Sequence, residues 1–304
     1  MVVCRRFIMF GSKFRITSFS IINAALLITL ALLVLYPLYF IAIASISDPY
    51  LVIRGEVTLY PRGISLEGFF RIFNYHPFWR AYLNTVVYTV TGTLLNVLLT
   101  MLAAYSLGRK FVGKKAIVLY MTFTMFFGGG LIPTFLQVKS LGLYNSPLVM
   151  VLLNAVGIWN IMIARSFLQS NLPEELYEAA MMDGCTHFRY FFNVVLPLSK
   201  AIIAVLVVYY AVGHWNDFMT GLIYLQSAKW MPLQVIMRDL LASLNVNSQI
   251  DSIANDITDV QEMIRIAESV KYCTIIVSTF PVIILYIFTQ KYFVKGVMIG
   301  SLKA

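Results

Sequence analysis

Six long apolar runs constrain the fold of this 304-residue chain more than any other feature of its sequence. Each run exceeds the roughly 20 residues that an α-helix needs to cross the hydrocarbon core of a bilayer. None has the alternating pattern of a strand, so we expect an all-α integral membrane protein with six transmembrane helices. The runs cover residues 19–46, 82–107, 116–138, 148–168, 201–225 and 272–293.

The overall composition also indicates a membrane protein, because 60% of the residues are hydrophobic and only 12% are charged. A soluble domain carries about 25% charged residues. The first run has an alternative interpretation as a cleaved signal peptide, since Arg5-Arg6 precedes it and Ala42-Ile43-Ala44 is similar to a cleavage site. Its apolar stretch is longer than the roughly 7–15 residues of a signal core. We therefore expect an uncleaved span with a kink at Pro37.

The Lys and Arg residues predict the orientation of the spans. Most of the 23 lie at the termini or in loops on the same side of the membrane, where acids are few. Because cytoplasmic loops carry the basic excess, both termini are predicted to be cytoplasmic. The net charge of +9 is then a consequence of topology, and no nucleic-acid partner is predicted. The expected organisation is a cytoplasmic segment at 1–18, one six-span domain at 19–293 and a cytoplasmic tail at 294–304.

The sequence contains no recognisable catalytic or metal-binding constellation. Its three cysteines, Cys4, Cys185 and Cys273, are odd in number and widely spaced, which predicts neither a disulfide framework nor a zinc site. Residues 108–115 nearly spell a phosphate-binding loop, but Lys115 stands where Ser or Thr would ligate magnesium. This chain is therefore expected not to hydrolyse ATP and to hold no cofactor.

The predicted cytoplasmic segment 169–200 differs from the other inside loops because it carries clear helix signals. A first helix is expected to be capped by Asn171, to have two glutamates in its first turn and to end at Gly184. A second short helix is expected over about residues 186–194, and Pro197 is expected to open the next span. The segment is thus predicted to be an amphipathic helical hairpin at the membrane surface.

One face of the first helix is expected to contain Leu176, Ala179 and Ala180, at spacings of i, i+3 and i+4. Small residues on an exposed face allow another backbone to approach closely, so the hairpin can fill a groove on a partner. Packing of the same helix on its own bundle is an alternative of equal weight.

A sparse set of positions within this hairpin resembles the EAA signature of bacterial ABC importer permeases, with Val where the family commonly has Ile. The positions are Glu178, Ala179, Ala180, Gly184, Val194, Leu196 and Pro197. Further segments are similar to the maltose-type carbohydrate permeases, and most of all to their LplC-type branch. These segments are 172–176, 182–184, 196–200, 213–218 and 232–235. One departure is Ala201, where relatives often have Pro.

This resemblance implies a permease subunit of an ATP-driven importer in a prokaryotic cell membrane. The hairpin would then be a coupling helix that docks into a cleft on a cytoplasmic ATPase subunit. The residues expected to serve this coupling are Glu178, Ala179, Ala180, Asp183, Gly184, Leu196 and Pro197. Two copies of the ATPase, which bind ATP and Mg, would drive this chain and a homologous second permease between two states. An extracellular solute-binding protein, expected to be a lipoprotein, would deliver a carbohydrate, expected to be an oligosaccharide.

Two other classes of protein are alternatives. A stand-alone secondary transporter or channel is disfavoured, because the spans hold no pair of acids and the sequence has no inverted repeat. A membrane-embedded enzyme is disfavoured because the three histidines are scattered over different sides of the membrane.

Polar residues within the predicted spans mark a candidate substrate pathway, since such residues usually face a cavity or a partner. Sugars suit aromatic faces beside amide and carboxylate groups. A dense cluster in the fifth span and a weaker group in the fourth comprise Tyr210, His214, Trp215, Asn216 and Asp217, then Asn154 and Asn160. Hydrogen bonds between helices are the alternative explanation.

Two further features concern the shape of the spans. Gly128-Gly129-Gly130, followed by Pro133, is expected to break the third helix. The break can serve as a hinge, as a broken-helix binding element or as a site of close packing. Residues 261–271 predict a short helix that leads into the last span.

Overall fold

The computed structural model describes residues 18–251 and 257–301. Every regular element within these ranges is helical, which confirms the all-α prediction for the described part of the chain. The predicted cytoplasmic segment 1–18 lies almost wholly outside the described residues, and so does the end of the predicted tail. The chain forms two compact units, Met1–Leu66 and Glu67–Ala304.

The first unit contains one long apolar helix and one short helix. Helix α1 (Ser18–Ala44) continues through Pro37, and α2 (Pro49–Ile53) follows it. Asp48 caps α2, because its Oδ1 accepts a hydrogen bond from the Tyr50 amide at 2.9 Å. Long-range hydrogen bonds then fold the following loop back, and the Tyr39 hydroxyl donates to the Leu59 carbonyl at 2.5 Å.

The second unit is built from helices of very different lengths. They are α3 (Glu67–Asn74), α4 (His76–Gly108), α5 (Lys114–Phe126), α6 (Leu131–Ser140), α7 (Val149–Leu152), α8 (Ile158–Asn171), α9 (Glu174–Met182), α10 (His187–Tyr190), α11 (Leu196–Leu198), α12 (Lys200–Trp215), α13 (Met219–Tyr224), α14 (Leu233–Asp251) and α15 (Ile257–Ser301). A π-helical segment, Phe191–Val195, joins α10 to α11.

Three helices among the described residues are long and apolar enough to cross a bilayer. They are Ser18–Ala44, His76–Gly108 and the part of α15 at Ile264–Gln290. Two pairs of bent helices raise the number to five if each pair is one span: α5 with α6, at 114°, and His187–Leu198 with α12, at 83°. The predicted number of six spans stays a prediction.

Glycine breaks the third apolar run at the expected place. The triple glycine at 128–130 separates α5 from α6, and Gly130 has φ of +80°, in the left-handed region that favours glycine. The predicted fourth run is also interrupted, because residues 153–157 separate α7 from α8. The short helix expected over 261–271 is one continuous helix with the last run, within α15.

A buried core holds the middle of the second unit together. Side chains from α4, α8, α10, α12 and the π-helical segment pack in it, and Met101, Ile161, Tyr190 and Leu206 are among its large, almost fully buried members. Between membrane helices such a core is stabilised by close van der Waals packing, since lipid is as apolar as the side chains themselves. The core therefore fixes α4 against α12 and against the end of the predicted hairpin segment.

Candidate functional site

The segment predicted to be a hairpin, residues 169–200, contains a helix–turn–helix element whose turn is closed by backbone hydrogen bonds. Gly184 has φ of +76°. Its amide donates to the Met181 carbonyl, and the Cys185 amide donates to the Ala180 carbonyl, both at 3.0 Å. This pair of bonds is the Schellman pattern that ends many helices. Thr186 starts the second helix, since its Oγ1 accepts from the Arg189 amide at 3.4 Å.

The start of the hairpin differs from the prediction. Asn171 does not cap α9. It is the last residue of α8, and its side-chain nitrogen Nδ2 donates to the Phe167 carbonyl at 2.9 Å. The N-cap position belongs to Pro173, which has no side-chain acceptor. Instead, the Glu174 carboxylate lies in the first turn, where the helix dipole favours it, and both its oxygens lie 3.1 Å from Lys110 Nζ.

The two alanines of the predicted docking set differ in exposure. Ala180 is partly buried against the core, together with Tyr177 and Met181. Ala179 and Glu178 are exposed. The predicted stripe of Leu176, Ala179 and Ala180 is thus exposed only in part, because Ala180 also lies i, i+3 and i+4 with Tyr177 and Met181, which meet the core.

Exposed residues of the hairpin form an outer surface. Glu178, Ala179, Asp183, Gly184 and Pro197 belong to it, whereas Leu196 packs partly against the core. Two large apolar side chains are also exposed there, Met182 at 89% and Phe188 at 73%. An apolar surface of this kind on a short helix is typical of a contact with another protein.

Pro197 lies inside a helical stretch and does not open the next span. A proline ring clashes with the carbonyl four residues earlier. The wider π-helical turn before it is marked by the Leu196 amide, which donates to the Phe191 carbonyl five positions back. The chain then bends by 83° into α12.

Arg109 joins the hairpin to the end of α4, a contact that sequence reasoning missed. Its guanidinium carbon lies 3.6 Å from the centre of the Tyr177 ring, 5.1 Å from that of Tyr105 and 5.5 Å from that of Tyr190. Tyr177 also stacks on His187, at 5.9 Å between ring centres. Arginine on aromatic faces contributes about 0.5–2 kcal/mol. The only sequence signal was a tyrosine-rich set near a basic turn.

A second candidate site is a polar cleft of about 500 Å³ beside α12. Its lining includes the predicted residues Asn154, Tyr210, His214, Asn216 and Asp217. Asp217 also caps α13, because its Oδ1 accepts from the Thr220 amide at 3.1 Å. The break after Trp215 thus places a carboxylate and an amide at the edge of the cleft.

Asn96 and Thr100 on α4 hold the polar side chains of the cleft in place. Asn96 Nδ2 donates to the Asn154 carbonyl at 3.1 Å and lies 3.2 Å from His214 Nε2. Thr100 Oγ1 lies 2.6 Å from the Tyr210 hydroxyl. Asn96 was missed, although it is an amide within an apolar run. Asn154 was predicted on that ground, as an amide within an apolar run.

The other two predicted pathway residues do not line this cleft. Trp215 is buried on another side of α12, where its Nε1 donates to the Ser278 carbonyl at 2.7 Å and its ring meets Tyr82 edge-on. Asn160 lies one turn into α8, beside Gly157. For Trp215, the structure therefore supports the alternative explanation, a hydrogen bond between helices.

Close packing of α4 on α12 also depends on Gly92. A Cβ atom at this position would collide with the His214 ring. The ring is 6% exposed, so it has little room to move away. The small residue therefore lets the imidazole reach Asn96.

The polar groups of the cleft share its lining with apolar side chains, among them Val156, Phe218 and Met219. Its lining offers amide, hydroxyl and imidazole groups with one carboxylate, Asp217, and contains neither Lys nor Arg. The described residues also contain no cluster of three or more His, Cys, Asp or Glu side chains that could hold a metal ion. Hydroxyl-rich, uncharged ligands suit such a surface.

A helical membrane chain with a polar cleft between its apolar helices and an exposed hairpin at one end has the features of a transport subunit. The family described as "Binding-protein-dependent transport system inner membrane component" matches residues 96–299. This chain belongs to that family and is a permease subunit of an ABC importer.

Similar proteins cover nearly the whole chain. The polygalacturonan/rhamnogalacturonan transport system permease protein YtcP of Bacillus subtilis is 36% identical, over 94% of this chain and 98% of its own length. Protein LplC of the same organism is 33% identical, over 94% and 95%. A chain in the crystal structure of a bacterial ABC transporter that imports the acidic polysaccharide alginate has a TM-score of 0.79 at 32% identity, over 90% of this chain and 96% of that one.

Proposed function

We propose that this permease carries an oligosaccharide across the cell membrane, driven by ATP hydrolysis in two partner ATPase subunits that bind ATP and Mg. The outer surface of the hairpin is the ATPase contact. The polar cleft is this subunit's part of the substrate pathway. Both termini are cytoplasmic in this proposal, and the two bent helix pairs and α7–α8 bring the number of spans to six.

One observation carries the coupling: a single helix, α4, touches both candidate sites. Asn96 on α4 holds His214 and Asn154 at the cleft, and Arg109, directly after α4, holds Tyr177 of the hairpin. Thirteen residues separate the two positions, which is about 20 Å along a helix. A displacement of the hairpin by the ATPase is therefore transmitted to the cleft by one rigid element, as alternating access needs.

The substrate class rests on the cleft and on the named relatives. YtcP is named for polygalacturonan and rhamnogalacturonan, and other similar permeases are named for melibiose, raffinose, stachyose and arabinooligosaccharides. Amide and hydroxyl groups beside Tyr209 and Tyr210 suit sugar hydroxyls. The lining holds one carboxylate and neither Lys nor Arg, so we expect it to contact the hydroxyl groups of the sugar and not any carboxylate of a uronic acid.

Two further partners complete the importer. Asn154 and Asn216 are exposed on the open side of the cleft, which supports a homologous second permease that closes the pathway. The family takes its description from dependence on a binding protein, which supports an extracellular solute-binding protein as the donor of the sugar. A transporter that works alone would need neither.

The test is charge reversal at the hairpin. Glu178→Lys is expected to abolish co-purification of the tagged ATPase and sugar uptake, because Glu178 is exposed on the outer surface. Glu56→Lys is the matched control, since it makes the same change in the segment predicted to be extracellular. Unchanged ATPase binding and uptake in Glu178→Lys would reject the docking proposal. Uptake that follows an ion gradient without ATP would favour the stand-alone transporter.

A further inference from the structure

A second cleft, of about 310 Å³, lies where the end of α4 meets the start of the hairpin. Its charged lining consists of three cations, Arg109, Lys110 and Lys114, and one carboxylate, Glu174. We infer that this cleft binds the phosphate headgroup of an anionic phospholipid. The inference uses the cytoplasmic placement of the hairpin from the proposed function, but it does not depend on transport.

The cleft does not neutralise its own charge. Glu174 is engaged by Lys110, and Arg109 is held among tyrosine rings. Lys114 makes no ion pair within the described part of the chain, and its Nζ lies 3.4 Å from the Gly108 carbonyl. One ammonium in the cleft is thus left with a single long contact to a neutral oxygen.

Arg165 on α8 adds a further unmatched cation nearby. Its Nε is buried and has no hydrogen-bond partner among the described residues, and its Nη1 lies 4.0 Å from the Met162 sulfur. The charges of Arg165 and Lys110 both act on Lys114. An anion in the cleft would offset the mutual repulsion of these cations and accept hydrogen bonds from them.

The position of the cleft favours a lipid over a soluble anion. Phosphate accepts several charge-assisted hydrogen bonds from lysine and arginine. Basic pockets between helices on the cytoplasmic side of a membrane bind lipid headgroups in this way. The helix that begins at Lys114 exposes Leu119, Tyr120 and Phe123, so acyl chains can lie along it while the phosphate occupies the cleft.

The test measures lipid retention on the full chain, purified with its partner subunits in detergent, by native mass spectrometry. Phosphatidylglycerol is expected to stay bound where phosphatidylcholine does not. Lys114→Gln is expected to weaken phosphatidylglycerol binding about fivefold, the effect of one lysine near a phosphate. Lys115→Gln is the matched control, because it removes the same charge one residue away and outside the cleft. Both variants should elute as the unmodified complex does.

Three results would overturn the inference. One is equal retention of the two lipids. Another is an equal loss in Lys114→Gln and Lys115→Gln, which would mean a diffuse surface potential. The third is displacement of phosphatidylglycerol by millimolar inorganic phosphate, which would assign the cleft to a soluble anion. None of these results bears on sugar uptake, so the proposed function would stand.

Discussion

The guanidinium carbon of Arg109 lies 3.6 Å from the centre of the Tyr177 ring, and this contact ties the longest helix of the core to the hairpin. Helix packing alone leaves α9 attached by few side chains, because most of its surface is exposed. The stacked pair therefore sets how faithfully a movement of α9 reaches α4.

Replacement of Arg109 is expected to weaken the coupling of ATP hydrolysis to sugar import while the protein stays folded. Arg109→Gln removes a contact of about 0.5–2 kcal/mol, so the hairpin should move without displacing α4. The number of sugar molecules imported per ATP hydrolysed should fall several-fold in proteoliposomes, while the ATPase stays bound. Arg109→Lys keeps the charge without the planar stack. Its ratio of sugar imported to ATP hydrolysed should therefore lie between those of the unmodified protein and Arg109→Gln. An unchanged ratio in Arg109→Gln would show that coupling takes another route.

Gly184 provides a test of the turn. Alanine at φ of +76° costs about 1–2 kcal/mol, and nothing lies within 4 Å of the added methyl group, so the effect is purely conformational. Gly184→Ala should therefore lower the thermal unfolding midpoint in detergent. Gly108→Ala is the control, since it also enters open space but without positive φ. Equal midpoints for the two variants would contradict the left-handed turn.

Gly184 and Asn171 show how much of the hairpin can be predicted from neighbouring residues alone. The glycine that ends α9 was recognisable, because a helix end is decided by a few neighbouring residues. Asn171 was assigned to the wrong helix because two helix ends lie next to each other there, with only Leu172 and Pro173 between them. The partial burial of Ala180 was not predicted either, since spacing alone does not say which side of a helix meets the core.

The polar cleft was predictable only in part. His214 and Asn154 were selected because polar groups in apolar runs are rare. Their common partner, Asn96, lies 118 positions from His214 in the sequence, and only packing of α4 on α12 brings it there. Trp215 is adjacent to His214 but faces the other way, because neighbours in a helix are about 100° apart.

Gly92 tests that packing directly. Gly92→Ala forces the added carbon into the His214 ring, and overpacking of this kind costs about 1–3 kcal/mol. The variant should unfold at a lower temperature and import sugar poorly. Adding His214→Ala should recover much of the stability but not the uptake, because the imidazole at the cleft is lost. Gly213→Ala, with open space around it, should leave stability nearly unchanged.

Without recovery in the double variant, the loss in Gly92→Ala could not be assigned to the imidazole. The close approach of α4 and α12 would then need another cause.

The ionisation of Glu67 is expected to make the stability of the second unit depend on pH. Its carboxylate accepts hydrogen bonds from Arg71 and from Arg265, each with a contact of 2.7 Å. The Arg71 hydrogen bond, reinforced by Arg265 and partly opposed by burial, holds the pKa of Glu67 below its usual range. A depressed pKa means that the ionised carboxylate stabilises the folded state at neutral pH. This contribution is lost as the pH falls below about 4, where the unfolded chain binds the proton first.

The measurement is thermal unfolding in detergent between neutral pH and about pH 3. The unmodified protein should lose stability more steeply at the acid end than Glu67→Gln, which has no proton to bind and keeps the shape of the side chain. At neutral pH Glu67→Gln should be the less stable of the two, since its uncharged amide pairs weakly with Arg71 and with Arg265, which joins α3 to α15. The two stabilities should converge at the acid end. Parallel curves for the two proteins would mean that protonation of Glu67 is not linked to unfolding.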